Sequence, residues 1–291
     1  MTPIVIYHAN CRDGMCAAMI AHQFLDNPKL IAAQYGDPVP TLPKDADVYI
    51  VDFSYRAEEL TALCAHVHHV TVLDHHQSAI DRIGDLELEN LEMILDNARS
   101  GAQITWDYFN DPDEIDDPIE EMREVLTQRP DIVEYVADRD LWKWEYEGTK
   151  AVNEYLAVGY PTIDDWVKDC DRLLDDAYVN SLAQIGQVLV LQMGQQVERL
   201  AKHTEVADIL GGDFEVVLCN SPIHQSELGN YLAAKHNLPA VIWYDNGEQH
   251  VFSVRSMDKI PQDARSIAES FGGGGHRNAA GFALSYENSI I

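Results

Sequence analysis

The chain has 291 residues, 46% of them hydrophobic, and a formal net charge of −29 from 20 basic and 49 acidic side chains. This length is long for one core and suits two domains. A surface so negative repels long polyanions, which disfavours a protein that grips duplex DNA through many phosphates. No segment approaches the ~20 uninterrupted apolar residues of a membrane helix, and the first residues lack a secretory pattern, so we expect no membrane partner.

The five cysteines are scattered along the chain and include no Cys-x-x-Cys pair. This pattern disfavours a disulfide framework and a structural zinc site. We therefore expect a protein of the reducing cytoplasm.

The first half of the chain alternates short apolar runs with amphipathic segments. The predicted strands are residues 4–7, 30–35, 48–52, 69–73 and 93–95, and the predicted helices include residues 14–25 and 57–65. Strands separated by helices predict an α/β fold with a parallel sheet covered on both faces. In such sheets, ligands bind at the carboxyl ends of the strands.

The second half begins with acidic helical patterns over residues 116–210, and the long helix predicted at residues 179–202 suits an inter-domain connector. Further predicted elements are strands at 214–219, 240–244 and 250–255 and helices at 225–235 and 264–270. We therefore predict a first domain at residues 1–175, a helical linker at 176–205 and a smaller mixed α/β domain at 206–291.

Ionisable side chains stand where three predicted strands end. His8 follows the first strand, Asp52 closes the third, and Asp74-His75-His76 closes the fourth. A single Asp in such a place is more often a cap or turn residue, but these groups would all meet at one edge of the sheet. Carboxylates crowded together repel one another unless a cation lies among them. The mixture of oxygen and imidazole ligands favours Mn²⁺, Fe²⁺, Co²⁺ or Zn²⁺ over Ca²⁺.

Asp13, followed by Gly14, comes five residues after His8 and belongs to the same set of ionisable residues. Asp138 is a weaker candidate, because it lies in an acidic helical segment, where an Asp is usually only solvated. Elsewhere, residues 99–101 predict the cap of a helix at 102–109, with contact to phosphate as the alternative. Trp142 and Trp144 are predicted to pack between the domains, with base stacking as the alternative.

A second site-like segment contains four consecutive glycines, Gly272, Gly273, Gly274 and Gly275, followed at once by His276 and Arg277. Such a run costs backbone entropy and makes sense where backbone amides approach a ligand closely, phosphate in particular. A flexible linker is the alternative, although strand and helix patterns flank the glycines. Upstream, Arg255 ends a predicted strand and carries a guanidinium suited to bind phosphate.

Taken together, these motifs resemble the DHH phosphoesterase superfamily. The resemblance is carried by Asp74-His75-His76, by Asp52, by His8 with Asp13-Gly14, and by the glycine segment, which resembles the DHH-associated C-terminal domain. It implies an N-terminal parallel-sheet DHH domain, a helical connector and a smaller substrate-binding domain. It also implies two bound metal ions, usually Mn²⁺, with Fe²⁺, Co²⁺, Zn²⁺ or Mg²⁺ as alternatives.

The resemblance further implies roles for individual residues. One metal would be held by Asp13, Asp52, His75 and Asp138, and the second by His8 and the shared Asp52. Asp74 would orient the neighbouring histidine or bind metal itself, and His76 would contact the phosphoryl group. The phosphate or terminal nucleotide of the substrate would be held by residues of the second domain: Arg255, Gly272, Gly273, Gly274, Gly275, His276 and Arg277.

One position departs from the family pattern. The opening motif usually has a second Asp two residues before the one followed by Gly, and this chain has Cys11 there. A thiolate would favour a softer metal, whereas an uninvolved thiol would leave the second metal weakly held. We expect Cys11 to lie near the site without binding metal.

The predicted activity is hydrolysis of phosphodiester bonds in short oligonucleotides or linear dinucleotides by a metal-activated water. The alternatives are a cyclic-nucleotide phosphodiesterase, a 3′-phosphoadenosine-5′-phosphate phosphatase and, because of Cys11, a non-catalytic nucleotide sensor. Family pyrophosphatases and exopolyphosphatases carry a Lys- and Arg-rich C-terminal domain, and the family's DNA exonucleases carry extra binding modules, so both rank lower here. The expected partner is a small nucleotide or a short single-stranded oligonucleotide, and a homodimer is left open.

Overall fold

A computed structural model describes residues 3–111, 128–209, 214–288 and 290 of the chain. The beginning of the predicted acidic helical region, residues 116–127, lies outside the described residues, as do residues 210–213. The chain divides into two compact units, Met1–Val190 and Leu191–Ile291. Each unit is built on one β-sheet, and each is described separately.

The first unit contains a five-stranded sheet in which every neighbouring pair of strands is parallel. Its strands are β1 (Ile4–His8), β2 (Lys29–Ala33), β3 (Asp47–Val51), β4 (His69–Asp74) and β5 (Leu91–Leu95). The strand order is β2-β1-β3-β4-β5, so the direction of winding reverses between β1 and β3. The predicted α/β fold and its parallel sheet are therefore confirmed, and the reversal marks the point where such sheets bind ligands.

Both faces of this sheet are covered by helices, as the nearly continuous apolar strands require. In β1, Val5 and Tyr7 contribute to the core on one face, whereas Ile4 and Ile6 contribute to the core on the other. The described part of the unit contains the helices α1 (Arg12–Phe24), α2 (Ala57–Cys64), α3 (Gln77–Ile83), α4 (Gly101–Phe109), α5 (Asp131–Asp140), α6 (Thr149–Gly159), α7 (Ile163–Lys168) and α8 (Cys170–Leu173). Helices α2 and α3 cover the second face, and α1 and α4–α8 contribute to the first.

A single long helix, α9 (Asp176–Leu200), confirms the helix predicted at residues 179–202, and the division between the units falls within it. Val179 and Leu182 near its beginning are buried in the core of the first unit. Val197 near its end is buried in the core of the second unit. None of the helices in the described residues, α9 included, combines the length and the apolar character needed to cross a membrane.

The second unit contains a six-stranded mixed sheet of order β10-β11-β9-β8-β7-β6. Its strands are β6 (Thr204–Ile209), β7 (Phe214–Asn220), β8 (Ala240–Asp245), β9 (His250–Arg255), β10 (Gly274–His276) and β11 (Ala279–Leu284). Among the described strands of this sheet, β7 and β8 alone pair in parallel. Helix α10 (Gln225–His236) packs on one face of the sheet through Leu228 and Leu232, and α11 (Ala264–Ser270) packs on the other through Ile267.

The strands predicted in this half, now β7, β8 and β9, are confirmed, but three others were missed. Strand β6 is acidic, and β10 and β11 consist largely of Gly and Ala, which are depleted in strands. Their hydrogen bonds to neighbouring strands decide their conformation, and that pairing is not visible in local sequence.

Candidate metal centre

The ionisable residues predicted at the sheet edge lie together at the winding reversal. His8 is the last residue of β1, and Asp52 directly follows β3. Asp52 is fully buried and has a positive φ of 54°, an uncommon backbone conformation that turns the chain sharply as it leaves the strand. His75 and His76 follow β4, the neighbour of β3.

Two groups of candidate ligands share one carboxylate. His8, Asp52 and His76 form one group, and Asp13, Asp52 and His75 form the other. Within each group the ligand atoms lie within 4.8 Å of one another. Asp52 belongs to both groups, which is the arrangement expected of a residue that bridges two metal ions.

The Nε2 atom of His75 lies close to three carboxylates. It is 3.2 Å from Oδ1 of Asp52, 3.4 Å from Oδ2 of Asp140 and 3.8 Å from Oδ2 of Asp13. Burial alone would lower the pKa of His75, but the contact with Asp52 and the charges of Asp140 and Asp13 raise the pKa to about 10. Without metal, the imidazole therefore holds a proton and acts as the local cation.

The buried carboxylate of Asp52 tests whether a metal fits this site. Burial would raise its pKa, but the imidazoles of His75 and His8, at 3.2 and 3.4 Å, more than offset that effect and lower the pKa. Among the described residues, neither oxygen of Asp52 accepts a hydrogen bond of regular geometry. A buried, ionised carboxylate with open oxygens beside imidazole nitrogens fits Mn²⁺, Fe²⁺, Co²⁺ or Zn²⁺.

Asp13 is positioned by the beginning of helix α4. Its Oδ2 accepts a hydrogen bond of 2.6 Å from the Gly101 amide, and its Oδ1 accepts one of 3.1 Å from the Ala102 amide. Burial, followed by the charges of Asp52 and Asp140, raises the pKa of Asp13 well above its usual value. The N-terminus of α4 thus binds the carboxylate of Asp13 at a place where the nearby charges of Asp52 and Asp140 make its ionisation less favourable.

The predicted helix cap at residues 99–101 is confirmed, and it supports the site. Ser100 is the N-cap of α4, and its Oγ accepts a hydrogen bond of 3.3 Å from the Gln103 amide. A Cβ at Gly101 would lie 2.6 Å from the Cβ of Asp52. Only glycine lets α4 begin so close to Asp52, a requirement that sequence reasoning missed.

Asp74 orients its neighbours. Its Oδ1 accepts hydrogen bonds from the His75 amide at 2.8 Å and from the His76 amide at 3.2 Å. Nδ1 of His76 lies 2.8 Å from the same oxygen. This favours the orienting role implied for Asp74, and Asp74 belongs to neither group of candidate ligands. His76 joins the group that contains His8, and its expected contact with the phosphoryl group stays a prediction.

Asp138 belongs to neither group of candidate ligands in the described residues, so its implied role as a metal ligand stays a prediction. Its Oδ1 accepts a hydrogen bond from the Glu145 amide, and its Oδ2 accepts from the Tyr146 amide and the Thr149 hydroxyl. Asp140, two residues later at the end of α5, faces His75 instead. The solvation expected of an Asp in an acidic helical segment is wrong for Asp138, which is buried and anchors a loop.

Two residues lie at the rim of the candidate metal centre. Burial and the charges of Asp52, Asp140 and Asp13 raise the pKa of the Cys11 thiol, which keeps it neutral without metal. Cys11 belongs to neither ligand group in the described residues. Tyr35 was not predicted: the residue is 42% exposed, and its ring centre lies 5.5 Å from that of His8.

The predicted substrate-binding residues lie in the second unit. Arg255 ends β9, and its guanidinium donates to the hydroxyls of Ser226 at 2.7 Å and Ser253 at 3.0 Å. His276 ends β10 and is exposed, and exposed Arg277 follows it in the turn to β11. Their predicted contacts with substrate remain predictions.

The glycine segment is not a flexible linker, because it includes strand β10. A Cβ at Gly273 would lie 2.1 Å from the carbonyl oxygen of Gly281, and one at Gly275 would lie 2.6 Å from that of Ala279. Gly272 has a φ of 79°, which favours glycine. Only Gly274 of the four has an ordinary φ and open space around it. Close packing on β11 thus explains much of the run without a ligand.

No family model matches the chain. The uncharacterized protein R106 of Acanthamoeba polyphaga mimivirus is 27% identical over 312 residues, which cover 97% of this chain and 67% of that protein.

Two solved structures are similar in fold. An exopolyphosphatase-related protein from Bacteroides fragilis aligns with a TM-score of 0.56 and 13% identity, over 100% of this chain and 88% of that one. RecJ from Thermus thermophilus, solved in complex with Mn²⁺, aligns with a TM-score of 0.52 and 15% identity, over 98% of this chain and 50% of that one. The chain therefore has the fold of the exopolyphosphatase-related protein and of RecJ.

Proposed function

We propose that the chain is a DHH-superfamily phosphoesterase that hydrolyses phosphodiester bonds in short oligonucleotides or linear dinucleotides with the help of two divalent metal ions. The observation that carries this proposal is Asp52, a buried carboxylate shared by two groups of candidate ligands. The common fold with a Mn²⁺ complex of RecJ supports the choice of Mn²⁺ as the first ion to test.

The residues of the first unit would divide the work. His8 and His76 would hold one ion, Asp13 and His75 the other, and Asp52 both. Asp140 would complete the second ligand set, since its Oδ2 lies 3.4 Å from Nε2 of His75. When bound, the two ions would lower the pKa of a shared water and stabilise the charge that develops on phosphate oxygens.

Supporting residues keep these ligands in place. Asp74 holds the ring and amide of His76, which fixes the direction of the imidazole. The amides of Gly101 and Ala102 hold both oxygens of Asp13. A ligand set held this way needs little rearrangement when the ions and substrate bind. In the second unit, Arg255, His276, Arg277 and the amides of the glycine segment, Gly274 foremost, are proposed to bind the phosphate.

The charge of the chain supports a small substrate. A net charge of −29 repels long nucleic acids, whereas two divalent ions would give a local positive charge that attracts one or two phosphates. Linear dinucleotides and oligonucleotides of a few residues carry few enough phosphates to bind in this way, as do cyclic dinucleotides and 3′-phosphoadenosine-5′-phosphate.

A substrate panel with Mn²⁺ and with EDTA tests the proposal. We expect Mn²⁺-dependent release of mononucleotides from linear dinucleotides, and at least about 10³-fold slower release by Asp52→Asn, because that variant loses the ligand shared by both ions. Activity on pyrophosphate alone would contradict the proposed substrate. Wild-type rates in Asp52→Asn would contradict the mechanism, and tight nucleotide binding without turnover under any metal would favour a sensor.

A further inference from the structure

The loop between α5 and α6 holds two tryptophans in a strained backbone conformation. Trp142 has a φ of 56° and Trp144 a φ of 59°. Left-handed conformations are tolerated by Gly, Asn and Asp, but they are sterically unfavourable for a side chain as large as tryptophan. A loop that needed only this backbone shape would be more stable with Gly or Asn at both positions.

Hydrogen bonds to Asp138 hold the loop in this conformation. The side chain of Asp138 accepts hydrogen bonds from the amides of Glu145 and Tyr146, at 2.8 and 3.1 Å, and from the hydroxyl of Thr149. Its carbonyl oxygen accepts from the Lys143 amide at 2.9 Å. The same carbonyl oxygen accepts from the Trp144 amide at 3.5 Å. A buried residue with five such bonds makes the strained loop a fixed part of the first unit.

The two tryptophan rings form a pair in which Trp142 is exposed and Trp144 is half-buried. Their centroids lie 4.7 Å apart, with the ring planes at 79° in an edge-to-face arrangement. Trp142 is 38% exposed, and Nζ of Lys150 lies 4.9 Å from the ring centre of Trp144. Large aromatic rings kept partly in water at a steric cost are typical of surfaces that bind a flat ligand.

The pair follows directly after the candidate metal centre in the chain. Trp142 is two residues from Asp140, whose Oδ2 lies 3.4 Å from Nε2 of His75. Two residues of extended chain span about 7 Å at most, so the base of the tryptophan pair lies within one nucleotide's length of the ligands. This backbone separation is short enough for a base attached to a phosphate at the metal centre to meet the rings.

We propose that Trp142 and Trp144 form a stacking platform for a nucleobase of the substrate. This inference rests on the proposed function and deepens it, because it makes the substrate a nucleotide rather than pyrophosphate or polyphosphate. Stacking depends little on net charge, so it supplies affinity that a chain of net charge −29 cannot gain from a broad basic surface. Lys150 adds a cation beside the same rings.

Binding of adenosine 5′-monophosphate and of ribose 5-phosphate, its base-free counterpart, tests the platform on the full chain in saturating Mg²⁺. We expect the nucleotide to quench tryptophan fluorescence and to bind about ten- to hundred-fold more tightly than the sugar phosphate, which should leave the fluorescence unchanged. In Trp142→Ala and Trp144→Ala the affinity ratio should fall towards one through loss of nucleotide affinity alone. In Trp142→Phe, which keeps a flat ring, most of the ratio should remain.

Tyr146→Ala is the matched control, because Tyr146 is exposed in the same loop but its ring pairs with Tyr135 at 6.0 Å. Its affinity ratio should equal that of the wild type. Equal affinities for the two ligands in the wild type, no binding of the nucleotide, or an unchanged ratio in both alanine variants would each overturn the platform. Failure of the proposed function shows separately, as absence of metal-dependent dinucleotide hydrolysis.

Discussion

The rim of the first sheet and the glycine segment of the second unit both suggest binding sites in the sequence, but the structure explains them differently. At the rim, Asp52 is buried and ionised between two imidazoles, and nothing in normal packing requires a carboxylate there. In the glycine segment, Gly273 and Gly275 are already required by close contact with β11. Buried charge is therefore the stronger indication of a ligand, and a run of glycines becomes informative only after its packing is known.

Among the changes that compare these two regions, the largest expected effect concerns a glycine that belongs to the rim rather than to the glycine segment. In Gly101→Ala the new Cβ must displace Asp52 or the beginning of α4, because it would lie 2.6 Å from the Cβ of Asp52. A shift of this kind in a bridging ligand should lower kcat about 100-fold. Steady-state kinetics with Mn²⁺ and a linear dinucleotide measure it.

The matched control is Gly194→Ala in α9, where an added Cβ meets no atom within 4 Å. This variant should keep the wild-type rate and gain up to about 1 kcal/mol in free energy of unfolding, since alanine favours helix. A wild-type rate in Gly101→Ala would mean that Asp52 is not held as described.

The next effect separates Asp140 from Asp138. Asp140→Asn should weaken Mn²⁺ binding about 10–100-fold with little change in stability, because Asp140 faces His75. Asp138→Asn should keep more of the Mn²⁺ affinity but lower the free energy of unfolding by about 1–3 kcal/mol, because its loop contacts are lost. Isothermal calorimetry and urea unfolding give the two quantities, and the reverse pattern would restore Asp138 as the ligand.

A smaller effect links metal binding to pH. The pKa of His75 is raised to about 10, so the metal-free protein keeps this proton at neutral pH, and a bound ion must displace it. The raised pKa of Asp13 acts in the same direction. Apparent Mn²⁺ affinity should therefore rise about tenfold or more per pH unit between about pH 6.5 and 8.5, with proton release visible by calorimetry in buffers of different ionisation enthalpy.

In the metal-free protein, the stability of the fold changes with pH in the opposite direction to the Mn²⁺ affinity. Because the folded-state pKa of His75 lies above the unfolded value of about 6.5, its proton stabilises the fold below about pH 6.5, and that contribution is lost as pH rises through about 10. A Mn²⁺ affinity that does not change between about pH 6.5 and 8.5 would show that His75 does not bind the ion.

The smallest effect tests the glycine segment itself. Gly273→Ala should lower the free energy of unfolding by about 1–3 kcal/mol, because its Cβ would lie 2.1 Å from the carbonyl oxygen of Gly281. Gly274→Ala should leave stability within about 0.5 kcal/mol, since open space surrounds it. If Gly274→Ala also leaves the KM for a dinucleotide unchanged, the amide of this residue does not bind substrate.

A feature could be predicted from the sequence where local sequence determines it, and could not where contacts between distant residues determine it. The parallel sheet follows from apolar strands separated by helices, and the meeting of His8, Asp52 and His75 follows from their places at strand ends. The conformation of β10 and β11 depends on pairing with distant strands, which local composition does not report.

The candidate site shows the same limit. Asp138 and Asp140 lie two residues apart at the end of one helix, and their roles are decided by which carboxylate faces Thr149 and which faces His75. Gly101 is required only because α4 begins beside Asp52, a contact between residues far apart in the chain. Such contacts must be seen in three dimensions.

Anomalous diffraction from crystals soaked in Mn²⁺ tests the central claim most directly. We predict two peaks about 3.5–4 Å apart, both coordinated by the carboxylate of Asp52, with His8 and His76 on one and Asp13, His75 and Asp140 on the other. No peak at Asp52 under saturating Mn²⁺, or ions bound only to surface carboxylates elsewhere, would contradict the account.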